Sequence, residues 1–248
     1  MVIATIALLA ALLLPTLSRA TSQARSTSCK NRLSQIGRAM AMYLADHNRY
    51  PSLLGDAGSL QTWAQKLYGY APLSSTNRSW HCPTYTASGG VVELVLPPSV
   101  PGRLVYWTSY AYNAFGIAGK QLRPNLGLGE FAPTSLGEQE VQTPSEMYTV
   151  ADARSYLYNT FSGPAGKPAM LPWVPPPGFI EREAEAPHSQ GYNILLGDEH
   201  VSLVKRNDYL YPPRTAHNWN RDNQPHPESW VPKNQWAVTK LSFFCLAP

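Results

Sequence analysis

The first 48 residues contain few helix-breaking residues, and this constrains the fold more than any other feature. Val2 to Leu14 carries no charged residue, and Thr21 to Asn48 has no proline and a single glycine, Gly37. Apolar residues recur in the second stretch at helical spacing: Leu33, Ile36, Met40, Tyr43 and Leu44. Together the stretches predict one helix from about Val2 to about His47, roughly 65 to 70 Å long, with Pro15 as its only internal irregularity.

The predicted helix has two different halves. Residues 2–17 are apolar on all sides, as in a membrane or subunit-bundle segment, whereas residues 18–48 are apolar on one face, as in a segment packed on a domain. The remaining residues, 49–248, are predicted to form a globular domain. As a helix, the charge-free run from Val2 to Leu14 has a length of only roughly 20 Å, which is less than the roughly 30 Å thickness of the hydrocarbon core of a bilayer.

Beyond Asn48-Arg49-Tyr50-Pro51, which ends the helix, the residue pattern changes. A second short helix is predicted over Ser59 to Tyr68. Five runs rich in β-branched and aromatic residues predict strands: Val91 to Leu96, Leu104 to Tyr112, Met147 to Ala151, Tyr192 to Leu196 and Val201 to Lys205. Two stretches rich in proline and glycine predict loops: Gly116 to Pro144 and Gly163 to Pro187. The predicted class is α+β, one long helix packed on a small antiparallel sheet.

Composition excludes several alternatives. The 23 prolines and 17 glycines among 248 residues indicate long, turn-rich loops and exclude an all-helical bundle. A net charge of +4, from 20 basic and 16 acidic residues, is too small for a nucleic-acid-binding surface to be the leading hypothesis. The sequence has no nucleophile elbow, His-Glu-x-x-His motif or phosphate-binding glycine loop, so we expect no enzymatic activity.

Several short motifs follow one another along the chain. The first is the apolar run from Val2 through Pro15, followed by the stretch from Ala24 to Gly37 that contains Cys29. The others are, in order, Trp80-His81-Cys82-Pro83, Ser109-Tyr110-Ala111-Tyr112-Asn113, Thr143-Pro144-Ser145-Glu146, Ala151-Asp152, and His188 followed after nine residues by Asp198. In this order the motifs resemble those of bacterial type IV pilin-like proteins, and specifically type II secretion pseudopilins.

The resemblance implies a structural subunit of a short periplasmic filament. It implies a single-pass helix held in the inner membrane before assembly, with the C-terminal domain in the periplasm. The expected partners are other pseudopilin subunits and inner-membrane proteins of the secretion system, without nucleic acid or an obligatory cofactor. The residues expected to serve membrane retention and assembly are Val2, Ile3, Ile6, Leu9, Leu13 and Pro15.

Two features depart from the family pattern. The basic leader, the glycine at the cleavage site and the Phe-Thr-Leu-Ile-Glu block are absent, so we expect the true start to lie upstream. Glu199 stands where the family has glycine after the aspartate. We expect either a type II′ turn centred on Gly197-Asp198 or a three- or four-residue loop through 197 to 199.

Cys29 and Cys82 are the best candidates for a disulfide, because the chain is predicted to be exported to an oxidising compartment. Such a bond would clamp the helix to the domain and stabilise it by roughly 4 kcal/mol in the chain-entropy model. Two unpaired buried thiols are the alternative. Cys245 lies in an apolar tail and is interpreted as an unpaired small hydrophobic residue, although it could replace either Cys29 or Cys82 in the disulfide.

Metal binding has weak support in the sequence. His188, Asp198 and His200, and likewise His217, His226 and Glu228, lack the spacing that is typical of zinc sites. The resemblance implies a calcium-binding C-terminal loop, for which Asp198, Asp208 and Asp222 are the candidates.

A function of another class remains open. Ser18-Arg19-Ala20 places small residues where a signal peptidase acts, so residues 1–20 can be read as a cleaved signal peptide, although no Lys or Arg precedes the apolar run. The mature chain would then be a secreted, non-catalytic module that binds carbohydrate or protein.

Overall fold

The computed structural model describes residues 2–53, 61–70, 82–84, 91–95, 103–107, 110–114, 116, 126–129, 136–152, 188, 191–209 and 212–229. Its helices are α1 (Val2–His47), α2 (Trp63–Lys66), α3 (Arg206–Tyr209) and α4 (Pro212–Trp219). Its strands are β1 (Val91–Val95), β2 (Arg103–Trp107), β3 (Tyr110–Tyr112), β4 (Tyr148–Asp152), β5 (Gly191–Leu196) and β6 (Val201–Lys205). The predicted loop Gly163 to Pro187 and Cys245 lie outside the described residues.

Helix α1 has the predicted bounds and continues through Pro15. It ends where the sequence predicts, because Asn48 takes a φ of 54° and donates its backbone N–H to the Leu44 carbonyl at 2.7 Å. A left-handed asparagine directly after the last turn is a common helix terminator, since asparagine tolerates this conformation. The helix therefore ends at His47 before Pro51 is reached.

Among the described residues, two antiparallel sheets follow α2. β1 pairs with β2, and β3, β4, β5 and β6 form a four-stranded sheet in chain order. The predicted strand Leu104 to Tyr112 is wrong as a single element: Trp107 ends β2, and Tyr110 begins β3 in the other sheet. β2 pairs with β1, whereas β3 pairs with β4 in the other sheet, and residue pattern alone does not reveal the pairing partners.

The four-stranded sheet is covered on both faces. Helix α1 lies on one face, where Leu33, Ile36 and Leu195 join one buried cluster. The Gly37 position shows how close the contact is, because a Cβ there would lie 2.8 Å from Leu195 Cδ1. On the opposite face a second cluster contains Ala151, Tyr192, Ile194, Tyr209 and Trp219. Neighbouring residues of β5 thus face opposite sides of the sheet, as the strand pleat requires.

Helix α2 is shorter than the predicted helix over Ser59 to Tyr68, part of which lies outside the described residues. It begins with a capping box in which the Thr62 hydroxyl accepts the Gln65 backbone N–H, and the Gln65 side chain accepts the Thr62 backbone N–H. Trp63, Ala64 and Leu67 are buried against the α1 side of the core.

The β5–β6 hairpin uses the three-residue loop rather than the type II′ turn. The Glu199 N–H donates to the Leu196 carbonyl at 3.2 Å, and the Leu196 N–H donates to the His200 carbonyl at 2.9 Å. Glu199 has a φ of 73°. A residue in the left-handed conformation at the third loop position is typical of such hairpins, and glycine is favoured there.

We expect Glu199→Gly to raise the unfolding free energy by about 1 kcal/mol, because glycine adopts a positive φ without the steric cost of a Cβ. Chemical denaturation of the two proteins measures the difference. Asp198→Gly is the matched control, since Asp198 is not among the residues with a positive φ. An equal or larger gain from the control would contradict this explanation.

Candidate functional site

The N-terminal half of α1 is an exposed apolar rod. Its large apolar side chains at positions 2, 3, 6, 9, 12, 13, 14 and 17 are between 60% and 84% exposed. The helix contains an 18-residue window that is apolar enough to cross a membrane by length and composition, and none of that window is buried. A signal sequence has the same properties. Val2, Ile3, Ile6, Leu9 and Leu13 therefore lie on a surface that the described part of the chain does not cover.

A second candidate site lies inside the domain. Four polar or ionisable side chains meet between α1 and the four-stranded sheet: Cys29 of α1, Cys82, Asp152 at the end of β4, and His188 just before β5. One ligand-type atom from each lies within 4.8 Å of all the others, and all four residues are buried. We call this group the Cys-Asp-His cluster.

Short contacts connect the members of the cluster. His188 Nε2 lies 2.9 Å from Asp152 Oδ2 and 3.5 Å from Cys82 Sγ. Cys29 Sγ lies 3.3 Å from the same Asp152 oxygen. Two sulfurs, one carboxylate oxygen and one imidazole nitrogen are thus directed into a common space.

Neighbouring groups fix the cluster from outside. Thr84 Oγ1 lies 3.3 Å from His188 Nδ1, and the Asn193 backbone N–H donates to Asp152 Oδ1 at 2.9 Å. The Tyr110 hydroxyl lies 3.5 Å from Cys29 Sγ. These contacts fix the orientation of the Asp152 carboxylate and the His188 imidazole, so that Asp152 Oδ2 and His188 Nε2 face the two sulfurs.

The four groups also shift one another's pKa values. Burial raises the pKa of the Cys29 thiol, and the hydrogen bond with Cys29 lowers the pKa of the Cys82 thiol. Burial raises the pKa of Asp152. Burial lowers the pKa of His188, but hydrogen bonds to Asp152 and Cys82 outweigh it and raise that pKa to about 9. The charge of each group therefore depends on at least two of the others.

The arrangement differs from a nucleophilic triad. In a triad, the nucleophile and the carboxylate contact different nitrogens of the histidine. Here Cys82 and Asp152 both approach Nε2 of His188, and Thr84 contacts Nδ1. This geometry is suited to binding a ligand between the four side chains, or to forming a disulfide between the two sulfurs.

The structure brings together the two cysteines that the sequence predicts as a disulfide. Cys29 and Cys82 are both thiols here rather than a bonded pair. Their proximity is compatible with a bond under oxidising conditions, and the disulfide stays a prediction. Sequence reasoning did not place Asp152 and His188 beside them. The signal was their presence in the motifs that carry the family resemblance, but residues so far apart in the chain have no local spacing to interpret.

His188 and Asp198, the two ends of the family motif, have separate environments. His188 is in the cluster, whereas Asp198 lies in the β5–β6 loop, where its Oδ1 accepts the His200 backbone N–H at 3.3 Å and contacts His200 Nδ1 at 2.5 Å. The prediction of Asp198 as a turn residue agrees with this position. His188 instead makes its contacts with Asp152 and Cys82.

The three calcium candidates each face a basic side chain. Asp198 contacts His200, Asp208 pairs with Arg214 at 2.5 Å, and Asp222 pairs with His226 at 2.7 Å. Within the described residues these aspartates do not form a shared group of metal-binding atoms. Calcium binding stays a prediction. Isothermal titration of the chain with Ca²⁺ tests it, and an absence of heat together with an unchanged melting temperature would remove it.

The His226 group predicts a pH-dependent stability. Burial lowers the pKa of His226, but Asp222 at 2.7 Å and Glu228 at 2.8 Å outweigh it and raise that pKa. Protonated His226 therefore stabilises the fold below its unfolded pKa of about 6.5, and this contribution is lost as the pH rises through the folded pKa. We expect His226→Gln to lower the unfolding free energy by roughly 0.5 to 1 kcal/mol near pH 5.5, and by less in alkaline buffer.

Chemical denaturation at the two pH values measures this effect. His217→Gln is the control, because the nearest carboxylate oxygen of Glu146 is 4.0 Å from His217. A loss for His226→Gln that is the same at both pH values would contradict the assignment.

Comparison with known proteins gives one partial match. Residues 19–84 match the model of a family described as a protein of unknown function, DUF1559. The match covers about a quarter of the chain, including the domain-packed half of α1, Cys29 and Cys82. No curated protein and no solved structure matches the chain. The chain therefore has a pilin-like α+β arrangement with an apolar N-terminal helix, and is similar over residues 19–84 to a family whose description names no function.

Proposed function

We propose that the chain is a pilin-like structural subunit. Its N-terminal helix is held in the inner membrane until assembly and then packs with its copies in the core of a periplasmic filament of the type II secretion or type IV pilus kind. The proposed role is mechanical, with no bond made or broken. Other pseudopilin subunits and inner-membrane secretion proteins are its proposed partners.

One observation carries the proposal. The exposed apolar rod and the domain-packed half of α1 belong to the same uninterrupted helix, Val2–His47. A rod with large apolar side chains on all sides needs lipid or other helices around it, because water is an unfavourable environment for such a surface. The domain-packed half fixes the direction of the rod relative to the sheet, as a subunit in an ordered filament requires.

Pro15 suits this role. Its ring removes one backbone N–H from the helix ladder and leaves a carbonyl one turn earlier without its usual donor. Helices that meet in a bundle can use such a local irregularity to pack. The Pro15 position lies near the end of the exposed apolar rod, between the part proposed to contact lipid and the part that contacts the domain.

The secreted binding module is the second candidate, and one observation favours it. Where α1 side chains are described, the first partly buried residue is Ser22 and the first fully buried one is Cys29. Removal of residues 1–20 would therefore leave the described contacts between α1 and the sheet intact. The two candidates differ in whether the mature chain retains the rod.

Photo-crosslinking in membranes tests the packing of copies. A photoreactive amino acid at Leu13 should give an adduct of two copies of the chain, because Leu13 lies on the exposed apolar rod. The same amino acid at Glu228 is the matched control on the domain surface, where the side chain is 70% exposed. Equal yields of self-adduct at both positions, or none at Leu13, would count against the proposal.

A further inference from the structure

We propose that the Cys-Asp-His cluster binds a divalent transition metal ion, with Zn²⁺ as the ion that its ligands suit best. The ligand set is Cys29 Sγ, Cys82 Sγ, Asp152 Oδ2 and His188 Nε2. Sulfur and imidazole nitrogen with one carboxylate oxygen is a combination found in zinc sites, whereas calcium and magnesium prefer oxygen ligands alone. This inference concerns the domain interior and does not depend on filament assembly.

The distances fit a tetrahedral ion. With metal–sulfur bonds of about 2.3 Å and metal–nitrogen or metal–oxygen bonds of about 2.0 Å, tetrahedral ligand atoms lie roughly 3.3 to 3.8 Å apart. The 3.5 Å between Cys82 Sγ and His188 Nε2 and the 3.3 Å between Cys29 Sγ and Asp152 Oδ2 fall in this range. The 2.9 Å between His188 and Asp152 needs only a small outward movement of the two side chains.

The surrounding hydrogen bonds are those of a metal site. A metal-bound histidine usually has a hydrogen-bonding partner on its other ring nitrogen, and a metal-bound carboxylate is usually hydrogen-bonded as well. Thr84 Oγ1 supplies the first at His188 Nδ1, and the Asn193 backbone N–H supplies the second at Asp152 Oδ1. The atoms that remain, Nε2 and Oδ2, both face the two sulfurs.

Burial also favours a cation in the centre. Asp152 is 0% exposed and His188 is 4% exposed, and a carboxylate in such a position is costly unless it is neutralised, either by protonated His188 or by a cation held between the four side chains. A disulfide would use Cys29 and Cys82 but would leave the Asp152–His188 pair buried beside it without a common function. A metal ion engages all four side chains at once.

The site would be structural. Four protein ligands complete a tetrahedral shell, and no open position is left for a substrate. The ligands come from α1, the segment at 82–84, the end of β4 and His188, three residues before β5. The ion would thus join the domain-packed half of α1 to the four-stranded sheet, at the place where the sequence predicts a disulfide clamp.

Metal analysis of the full chain in detergent tests the proposal. Protein isolated from detergent-lysed cells without reductant or added metal should contain about one Zn²⁺ per chain. After chelation, titration with Co²⁺ should give the visible bands of a tetrahedral ion and a sulfur-to-cobalt charge-transfer band. Thr84→Ala, which removes an outer partner rather than a ligand, should lower Zn²⁺ affinity roughly 10- to 100-fold.

The controls separate this site from other ligands. Asp152→Asn and His188→Gln should each weaken Co²⁺ binding and change the visible bands, whereas the double variant Asp198→Asn, His200→Gln, which alters an exposed pair of the same type, should leave both unchanged. Cys245→Ser should retain metal. An isolated chain without zinc whose mass shows the loss of two hydrogen atoms on formation of a Cys29–Cys82 bond would overturn the proposal. Co²⁺ binding to the unmodified chain without a charge-transfer band would also overturn it. Because this measurement uses the unmodified chain, its result holds even if every ligand variant fails to fold.

Discussion

Replacing Ile6 with aspartate is expected to release the chain from the membrane. Ile6 is 60% exposed on the apolar rod and lies within the predicted membrane half of α1. A carboxylate in the middle of a membrane helix costs about 2.5 to 3.5 kcal/mol on insertion-based scales, which corresponds to roughly a hundredfold loss in partitioning. Sedimentation of membranes, followed by alkaline extraction and immunoblotting, measures the retained fraction.

Met42→Asp is the matched control for this experiment. Met42 is also a large exposed apolar residue of α1, at 53%, but it lies in the domain-packed half. The same charge placed there should leave membrane retention unchanged. An Ile6→Asp chain that sediments with membranes as fully as the unmodified chain would contradict a membrane role for the rod.

Truncation of Ile36 to alanine is expected to cause a large loss of stability, because it weakens the packing of α1 on the sheet. Ile36 is fully buried where α1 packs on the sheet, and it belongs to the same cluster as Leu33 and Leu195. Removal of a buried isoleucine side chain costs about 2 to 5 kcal/mol, because apolar contacts are lost and a cavity remains. Chemical denaturation in detergent measures the difference in unfolding free energy.

Met42→Ala controls for the change in helix composition. Because Met42 is exposed, its truncation should change the unfolding free energy by no more than about 0.5 kcal/mol. Similar losses of unfolding free energy for the two variants would mean that the packing of α1 on the sheet is not the main contact of this helix. That result would contradict the division of α1 into two halves.

The long helix was the most predictable element. Its bounds, Val2 and His47, follow from a stretch with one proline and one glycine and from the Asn48-to-Pro51 terminator. Strand β6 has its predicted bounds, and β1, β4 and β5 lie within one residue of theirs at each end. These elements have strong local signals. The division between β2 and β3 was not predictable, because it depends on which strand each one pairs with.

The hairpin loop was predictable in part. The sequence narrowed it to two alternatives, because both Gly197 and Asp198 favour turns. The choice between them depends on contacts elsewhere in the chain. A Cβ at Gly197 would lie 2.9 Å from the Pro144 carbonyl oxygen, so the loop packs closely on the segment before β4. As a result, Glu199 occupies the loop position that requires a positive φ.

The composition of the Cys-Asp-His cluster was predictable only in part. Cys29 and Cys82 were singled out as a pair because of their chemistry. Asp152 and His188 join them only through the order of the strands. β4 and β5 are paired neighbours in the sheet, and His188 forms a β-bridge with Gly191, the first residue of β5. Long-range convergence of this kind has no spacing rule, in contrast to a zinc motif within a single helix or loop.

The proposed function requires that the apolar rod is kept in the mature protein and serves membrane retention and assembly. N-terminal sequencing and intact-mass measurement of the chain isolated from its native cells test this requirement. We expect a membrane-associated chain that still contains the residues from Val2 to Pro15. A freely soluble chain whose first residue is Thr21 would contradict it.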